Sequence, residues 1–189
     1  MFAARLPPEK QPTAALCMEM LASAMPEKSA AYVAGPLDTG RLYYDTLRKA
    51  SSLQPAEIRR INKERLASFA RRLRVELAIP VVDPGHLHIE GWTGADYALL
   101  FLDVIRVFVR EMWFLEGWEF SHGACDEFCF SVQNRLPCYD VTGRMMNAEQ
   151  GLARIEQAIA EINASQVSTI HLEGYRDKLR TGWHSRVGS

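Results

Sequence analysis

The stretch GWEFSHGACDE, residues 117–127, places a serine, small residues and three carboxylates in eleven positions where an apolar run ends. If a helix begins near residue 123, then Ser121, Gly123 and Ala124 lie at its N-terminus. Free backbone N–H groups and the helix dipole favour an anion at such an end, and a phosphate group fits this description. Ser121 is equally typical of a plain N-cap residue, so both interpretations stay open.

Glu127 follows in the first turns of the same predicted helix. The apolar stripe of this helix leaves Glu127 nearly opposite the core; the stripe consists of Cys125, Phe128, Cys129, Val132 and Leu136. A carboxylate in such a position is typical of a solvated surface residue. An active-site carboxylate also needs a face outside the core, so the helical period leaves both interpretations open.

Asp103 stands inside the apolar run LLFLDVIRVFV and has apolar neighbours on nearly every side. A buried carboxylate without a partner costs several kcal/mol or acquires a raised pKa. An ion pair with Arg106, three positions later, is one way to satisfy it. The other interpretation is a functional carboxyl that carries a proton at neutral pH.

The elements that must hold these residues alternate between strand and helix. Patterning predicts strands at 30–35, 112–118 and 136–141, a strand with its turn at 79–85, and helices at 55–77, 93–109, 123–135 and 148–164. This alternation predicts an α/β fold with a mostly parallel sheet of four or five strands, covered by helices on both faces. Ligands of such sheets bind beyond the carboxyl ends of the strands, which is where the loop containing Ser121 is expected.

The chain divides into three expected segments. Residues 1–28 form an N-terminal extension that can include a short helix at 13–25, and residues 29–164 form the domain. Residues 165–189 have no clear apolar period and are expected to form a C-terminal tail.

Composition argues against several classes of partner. The formal net charge of −1 gives no global field that would attract nucleic acid or an anionic membrane. The most apolar stretch, 97–109, is too short to span a bilayer and contains charged residues. Four irregularly spaced cysteines and the lack of a recognisable signal peptide favour a cytoplasmic protein.

The predicted helix at 55–77 carries seven Arg or Lys residues and raises the alternative of a nucleic-acid groove. Three interspersed glutamates and the lack of aromatic residues on the charged face favour a solvated outer face instead. No metal or cofactor is expected, because a four-ligand N/S set and the glycine-rich nucleotide motifs are lacking.

The order and spacing of several motifs resemble the nucleoside 2-deoxyribosyltransferase superfamily. The matching residues are YVAGP at 32–36, Asp103, and S-x-G-x-x-x-E at Ser121, Gly123 and Glu127, and the resemblance spans about residues 30–140. The spacing from Asp103 through Ser121 to Glu127 looks like that of the 2'-deoxynucleoside 5'-phosphate N-hydrolase branch. The region around VVDP and FLEGWEFSHGA looks closer to a branch common in phages and prophages.

The resemblance implies a flavodoxin-like three-layer sandwich and a role for each matching residue. Glu127 would attack C1' of the sugar, Asp103 would protonate or position the leaving base, and Tyr32 would orient Glu127 through a hydrogen bond. Substrate binding would involve the residues of two loops, namely Gly35, Pro36, Asp38, Ser121, Gly123 and Ala124. Within this set Asp38 stands where the hydrolase branch tends to have a basic residue.

The activity implied is cleavage of the N-glycosidic bond of a nucleoside or of a (deoxy)nucleoside 5'-monophosphate. Base exchange as a deoxyribosyltransferase, a nucleotide-binding module without turnover, and a structural or interaction protein are the alternatives. The expected partner is a small nucleoside or nucleotide, with neither nucleic acid nor membrane. The resemblance also implies a homodimer or a higher homo-oligomer.

Overall fold

The structure is a computed structural model that describes residues 6–49, 52–164 and 168–184. It confirms the predicted α/β fold, a flavodoxin-like three-layer sandwich around a sheet of four parallel strands. The strands are β1 (Ala30–Ala34), β2 (Val81–Val82), β3 (Val109–Phe114) and β4 (Cys138–Asp140). The helices are α1 (Gln11–Ala24), α2 (Arg41–Arg48), α3 (Pro55–Leu77), α4 (Gly94–Phe108), α5 (His122–Gln133), α6 (Ala148–Asn163) and α7 (Ile170–His184).

The strand order β2-β1-β3-β4 decides where the helices lie. Crossovers between parallel strands are right-handed, so a reversal of direction along the sheet moves the connecting helix to the other face. Accordingly α3 packs on the face that carries Ala31 and Val33, whereas α5 packs on the face that carries Tyr32 and Ala34. The order reverses between β1 and β3, and ligands of open α/β sheets bind beyond the carboxyl ends of the strands at such a switch point.

Strand β1 is buried along its whole length, as expected of a central strand in a parallel sheet. It pairs with β2 on one side and β3 on the other, and Tyr32 lies opposite Val82 and Met112. The ladder with β3 continues past the strand end, where the Leu115 N–H donates to the Ala34 carbonyl at 2.8 Å. The loops that follow β1 and β3 therefore leave the sheet side by side.

The predicted start of α4 is correct in detail. Thr93 is the N-cap, and Thr93 and Asp96 form the reciprocal hydrogen bonds of a capping box. Lys10 also reaches Asp96 at 2.7 Å, and its hydrogen bond, together with those of Thr93, lowers the pKa of Asp96 to about 2. No helix in the described ranges is long and apolar enough to cross a lipid bilayer.

Strand β3 differs from the prediction, because it begins at Val109 rather than at residue 112 and ends at Phe114. Helix α4 runs into it without a loop, since Val109 is both the helix C-cap and the first extended residue. A buried helix and a buried strand are both continuously apolar here, so the sequence contains no turn residue that marks the boundary. Past the strand, Gly117 adopts a positive φ of 84° and starts the turn toward α5.

The two terminal segments contribute to the core. Helix α1 packs on α4 in a cluster that includes Leu6, Ala14 and Met25. The segment expected to be a tail contains α7, whose Leu172 and Leu179 are buried in the main cluster with α5 and α6. Two buried leucines seven residues apart among mostly polar neighbours give a weak apolar period, which explains why the sequence did not reveal this helix.

Gly151 in α6 lies against Phe128 of α5, and an ideal Cβ at this glycine would lie 2.0 Å from the Phe128 ring. We expect Gly151→Ala to destabilise the protein by about 1 to 3 kcal/mol, because the core must open to admit the methyl group. Gly174→Ala is the matched control, since a Cβ there meets no atom within 4 Å. Urea unfolding of both variants measures the difference, and equal stabilities would contradict this packing.

Candidate functional site

Tyr32 projects from the middle of β1 toward α5. Its side chain has no exposed surface, and the edge of its ring meets Phe101 of α4 with ring centroids 6.1 Å apart. The Tyr32 hydroxyl donates a hydrogen bond of 2.6 Å to Oε1 of Glu127. The hydrogen bond implied by the resemblance is therefore present, and the catalytic roles of both residues stay predictions.

Glu127 lies in the second turn of α5 and is only partly exposed. Burial raises the pKa of its carboxyl to about 8, and the neighbouring negative charge of Asp126 adds to this rise. The hydrogen bond from Tyr32 acts in the opposite direction and lowers the pKa, because it stabilises the ionised form. This carboxyl is thus not the solvated surface glutamate of the simpler interpretation.

The pKa of Tyr32 is raised well above its usual value, chiefly by burial and then by the charge of Glu127. A hydroxyl in this state remains a hydrogen-bond donor throughout the physiological pH range. The tyrosine therefore holds one oxygen of Glu127 and leaves the second oxygen for other contacts.

Ser121 is the N-cap of α5 by position, but its side chain makes no capping hydrogen bond. The residue is buried, and only its backbone carbonyl joins the helix, accepting from the Cys125 N–H at 2.9 Å. Gly123 in the first turn is exposed, and a Cβ there would meet no atom within 4 Å, whereas Ala124 is buried. This helix end therefore has open space at Gly123, as an anion site requires.

The loop after β1 meets this helix end. The backbone N–H of His122 donates to the Thr39 hydroxyl at 3.4 Å, and the His122 ring lies 3.3 Å from the Tyr44 hydroxyl. His122 also packs on the ring of His171 in α7, with centroids 4.6 Å apart. Thr39, Tyr44 and His171 are not among the site residues predicted from the sequence, because contacts between elements distant in the chain leave no spacing signal.

Gly35, Pro36 and Asp38 occupy the same loop but do not form one surface. A Cβ at Gly35 would lie 3.0 Å from both Leu115 and Leu66, so a larger residue there would require these leucine side chains to shift. Pro36 is buried, and Asp38 is exposed and forms an ion pair with Arg59 of α3 at 2.5 Å. The negative charge of Asp38 is thus partnered on the α3 side of the molecule.

Asp103 is buried and forms an ion pair with Arg106 at 2.8 Å. This is the simpler of the two interpretations that the sequence left open. The acidic residues whose charges act on the Tyr32 hydroxyl are Glu127 and Asp83. The structure thus joins Tyr32 with Glu127 and pairs Asp103 with Arg106 of its own helix, and the catalytic role of Asp103 stays a prediction.

Asp83 is a carboxylate near this site that sequence analysis did not select. It follows β2, its side chain is 5% exposed, and it accepts from the Gly85 N–H at 2.9 Å. His86 reaches the other oxygen at 3.0 Å. The sequence feature that could have identified Asp83 is its place in VVDPGH, where the chain leaves the second predicted strand.

The loops after β1 and β3 meet at the carboxyl edge of these strands, where the strand order reverses, and Tyr32 lies two residues before the end of β1. Comparisons of this chain with protein-family models, with curated proteins and with solved structures give no match.

Proposed function

We propose that this protein cleaves the N-glycosidic bond of a nucleoside or a (deoxy)nucleoside 5'-monophosphate, with Glu127 as the nucleophile. The observation that supports this most directly is the 2.6 Å hydrogen bond from Tyr32 to the partly buried Glu127, beside the two strands between which the strand order reverses. The resemblance of YVAGP and S-x-G-x-x-x-E to the deoxyribosyltransferase superfamily assigns the same two residues.

In the first step, the carboxylate oxygen of Glu127 that Tyr32 does not hold forms a bond to C1' of the sugar. The bond from C1' to the base breaks, the base leaves with the bonding electrons, and it takes up a proton. The transition state resembles an oxocarbenium ion, as in retaining glycosidases. Water then attacks C1', a proton leaves this water, the free sugar departs and Glu127 returns as a carboxylate.

The raised pKa sets the pH dependence of this step. With a pKa of about 8, only about one tenth of Glu127 is ionised at pH 7. A nucleophile must be ionised, so kcat/KM should rise with pH and level off above about 8. A fall in activity across the same range would indicate that Glu127 acts as a general acid instead.

The direct test is release of free base from purified protein given nucleosides and their 5'-monophosphates, followed by chromatography. Preference for the monophosphate would support the anion site at Ser121 and Gly123. Addition of a second base distinguishes hydrolysis from base exchange, because only a transferase forms the new nucleoside. No base released from any substrate over long incubation would contradict the proposal.

A nucleotide-binding module without turnover is a second candidate. The observations that favour it are that Tyr32 has no exposed surface and that Glu127 is mostly neutral at pH 7. This function would give thermal stabilisation by nucleotides with no base released.

Tyr32→Phe separates the orienting hydrogen bond from the packing of the ring. The variant lacks a donor that lowers the pKa of Glu127, so this pKa should rise further above about 8. A hydrogen bond to a charged group contributes about 1.5 to 3 kcal/mol, so kcat/KM at pH 7 should fall about 10- to 100-fold. The rising limb of the pH profile should move to higher pH, and an unchanged profile would contradict the role given to Tyr32.

A further inference from the structure

A groove of about 500 Å³ runs along the outer side of α3. Four cations of this helix line it, namely Arg59, Arg60, Lys63 and Arg71, and His86 from the loop after β2 lies beside them. Ala56 and Ala67 also line it, and their small side chains leave room between the longer ones. The charge pattern of this helix predicts a plain solvated face, and the structure adds the concave shape.

The length of the groove points to an extended ligand. Residues 59 and 71 are twelve positions apart, which is about 18 Å along a helix. A single phosphate group would contact one end of this row of four cations, whereas a chain of phosphates can contact all of them. Glu64 is the acidic residue of the lining, His86 contributes an imidazole ring, and no Phe, Tyr, Trp or large aliphatic side chain belongs to it.

The cations differ in how they are partnered. Arg59 pairs with Asp38, and Arg60 pairs with Glu57 and Glu64. All of these side chains are well exposed, and exposed ion pairs exchange partners at little cost. Lys63 and Arg71 form no ion pair with any residue in 6–49, 52–164 or 168–184, and Arg71 donates only to the Ser68 hydroxyl.

We propose that this groove binds the phosphodiester backbone of a single-stranded nucleic acid. Arginine and lysine are the common phosphate ligands, and a row of them tracks a backbone without reading its sequence. The lack of large apolar side chains in the lining disfavours a lipid surface, and the lack of Phe, Tyr and Trp rings predicts little contribution from base stacking.

The test is fluorescence anisotropy of a labelled 12-nucleotide DNA strand titrated with the full chain at several salt concentrations. We expect sequence-independent binding with Kd between about 10⁻⁶ and 10⁻⁴ M, which weakens as salt rises. The double variant Lys63→Gln/Arg71→Gln should weaken binding about tenfold and reduce the salt slope by about 1.4, which is about 0.7 for each phosphate that the variant no longer neutralises.

Arg65→Gln/Arg144→Gln is the matched control, because it removes the same charge from exposed positions that do not line the groove. It should bind as the unaltered protein does, and so should Glu127→Gln, since the groove does not depend on the proposed glycosidase. Equal affinity of the groove variant and its control would overturn the proposal. Equal competition by inorganic tripolyphosphate, at the same phosphate concentration as an unlabelled strand, would also overturn it.

Discussion

Glu127→Gln is expected to lower the release of free base by at least about 10³-fold, because the amide cannot form the bond to C1'. The glutamine has nearly the same shape, and its carbonyl oxygen can accept the hydrogen bond that Tyr32 donates to Glu127. A loss of activity would therefore reflect the missing nucleophile and not a collapsed site. The measurement is initial rate by chromatography at pH 8, close to the pKa of the carboxyl, where the unaltered protein should approach its highest rate.

Asp126→Asn is the matched control for this loss. It removes the adjacent carboxylate, which is part-exposed and pairs with Lys178 at 3.1 Å, and it leaves Glu127 in place. Acid-quenched mass spectrometry adds a second readout, since the peptide containing Glu127 should carry the sugar in the unaltered protein and in this control but not in the glutamine variant. Base release by Glu127→Gln at the rate of the Asp126 variant would reject Glu127 as the nucleophile.

The same glutamine variant is expected to be more stable than the unaltered protein at neutral and alkaline pH. The pKa of Glu127 rises from about 4.5 in the unfolded chain to about 8 in the folded protein. A raised pKa means that the folded state holds the proton more tightly. The stability linked to this proton is complete below pH 4.5 and is lost progressively as pH rises through 8.

The size of this effect follows from the shift, since one pKa unit corresponds to about 1.4 kcal/mol. The stability advantage of Glu127→Gln should therefore be near zero at pH 4.5 and reach on the order of 5 kcal/mol above pH 8. Urea unfolding of both proteins between pH 4.5 and 9 measures the difference, in which other titrating groups cancel. A difference that stays constant over this range would show that Glu127 is not buried in the folded protein.

The two predictions separate activity from stability. A loss of base release together with a gain in stability would mean that the fold tolerates a destabilising carboxyl for the sake of chemistry. A gain in stability without a loss of base release would mean that burial raises the pKa of Glu127 but that Glu127 is not the nucleophile. A gain in stability with no base released by either protein would be compatible with the second candidate function, a nucleotide-binding module.

The elements that sequence patterning found best are those with their own local signals. Helix α3 begins at Pro55 and ends at Leu77 as predicted, because proline favours the first turn and the apolar stripe is long. The capping box at Thr93 and Asp96 is likewise local. The start of β3 and the whole of α7 lacked such signals. The apolar run is continuous across the start of β3, and apolar residues are sparse in α7, so neither segment shows the spacing of a strand or a helix.

In the site, too, the sequence predicts some contacts and not others. The match of YVAGP and S-x-G-x-x-x-E to a family pattern implied the contact between Tyr32 and Glu127, although 95 positions separate the two residues. Neither the pairing of Asp38 with Arg59 nor the contact of Thr39 with His122 could be anticipated. These contacts depend on how loops leave the sheet, which tertiary packing decides.

The docking of α7 has a consequence for how the protein acquires its site during synthesis. Leu172 and Leu179 complete the apolar cluster against α5, which bears Glu127. These leucines are made more than forty residues after the glutamate. A nascent chain can therefore form its sheet early, but the apolar cluster around α5, the helix that bears Glu127, is completed only when α7 has left the ribosome.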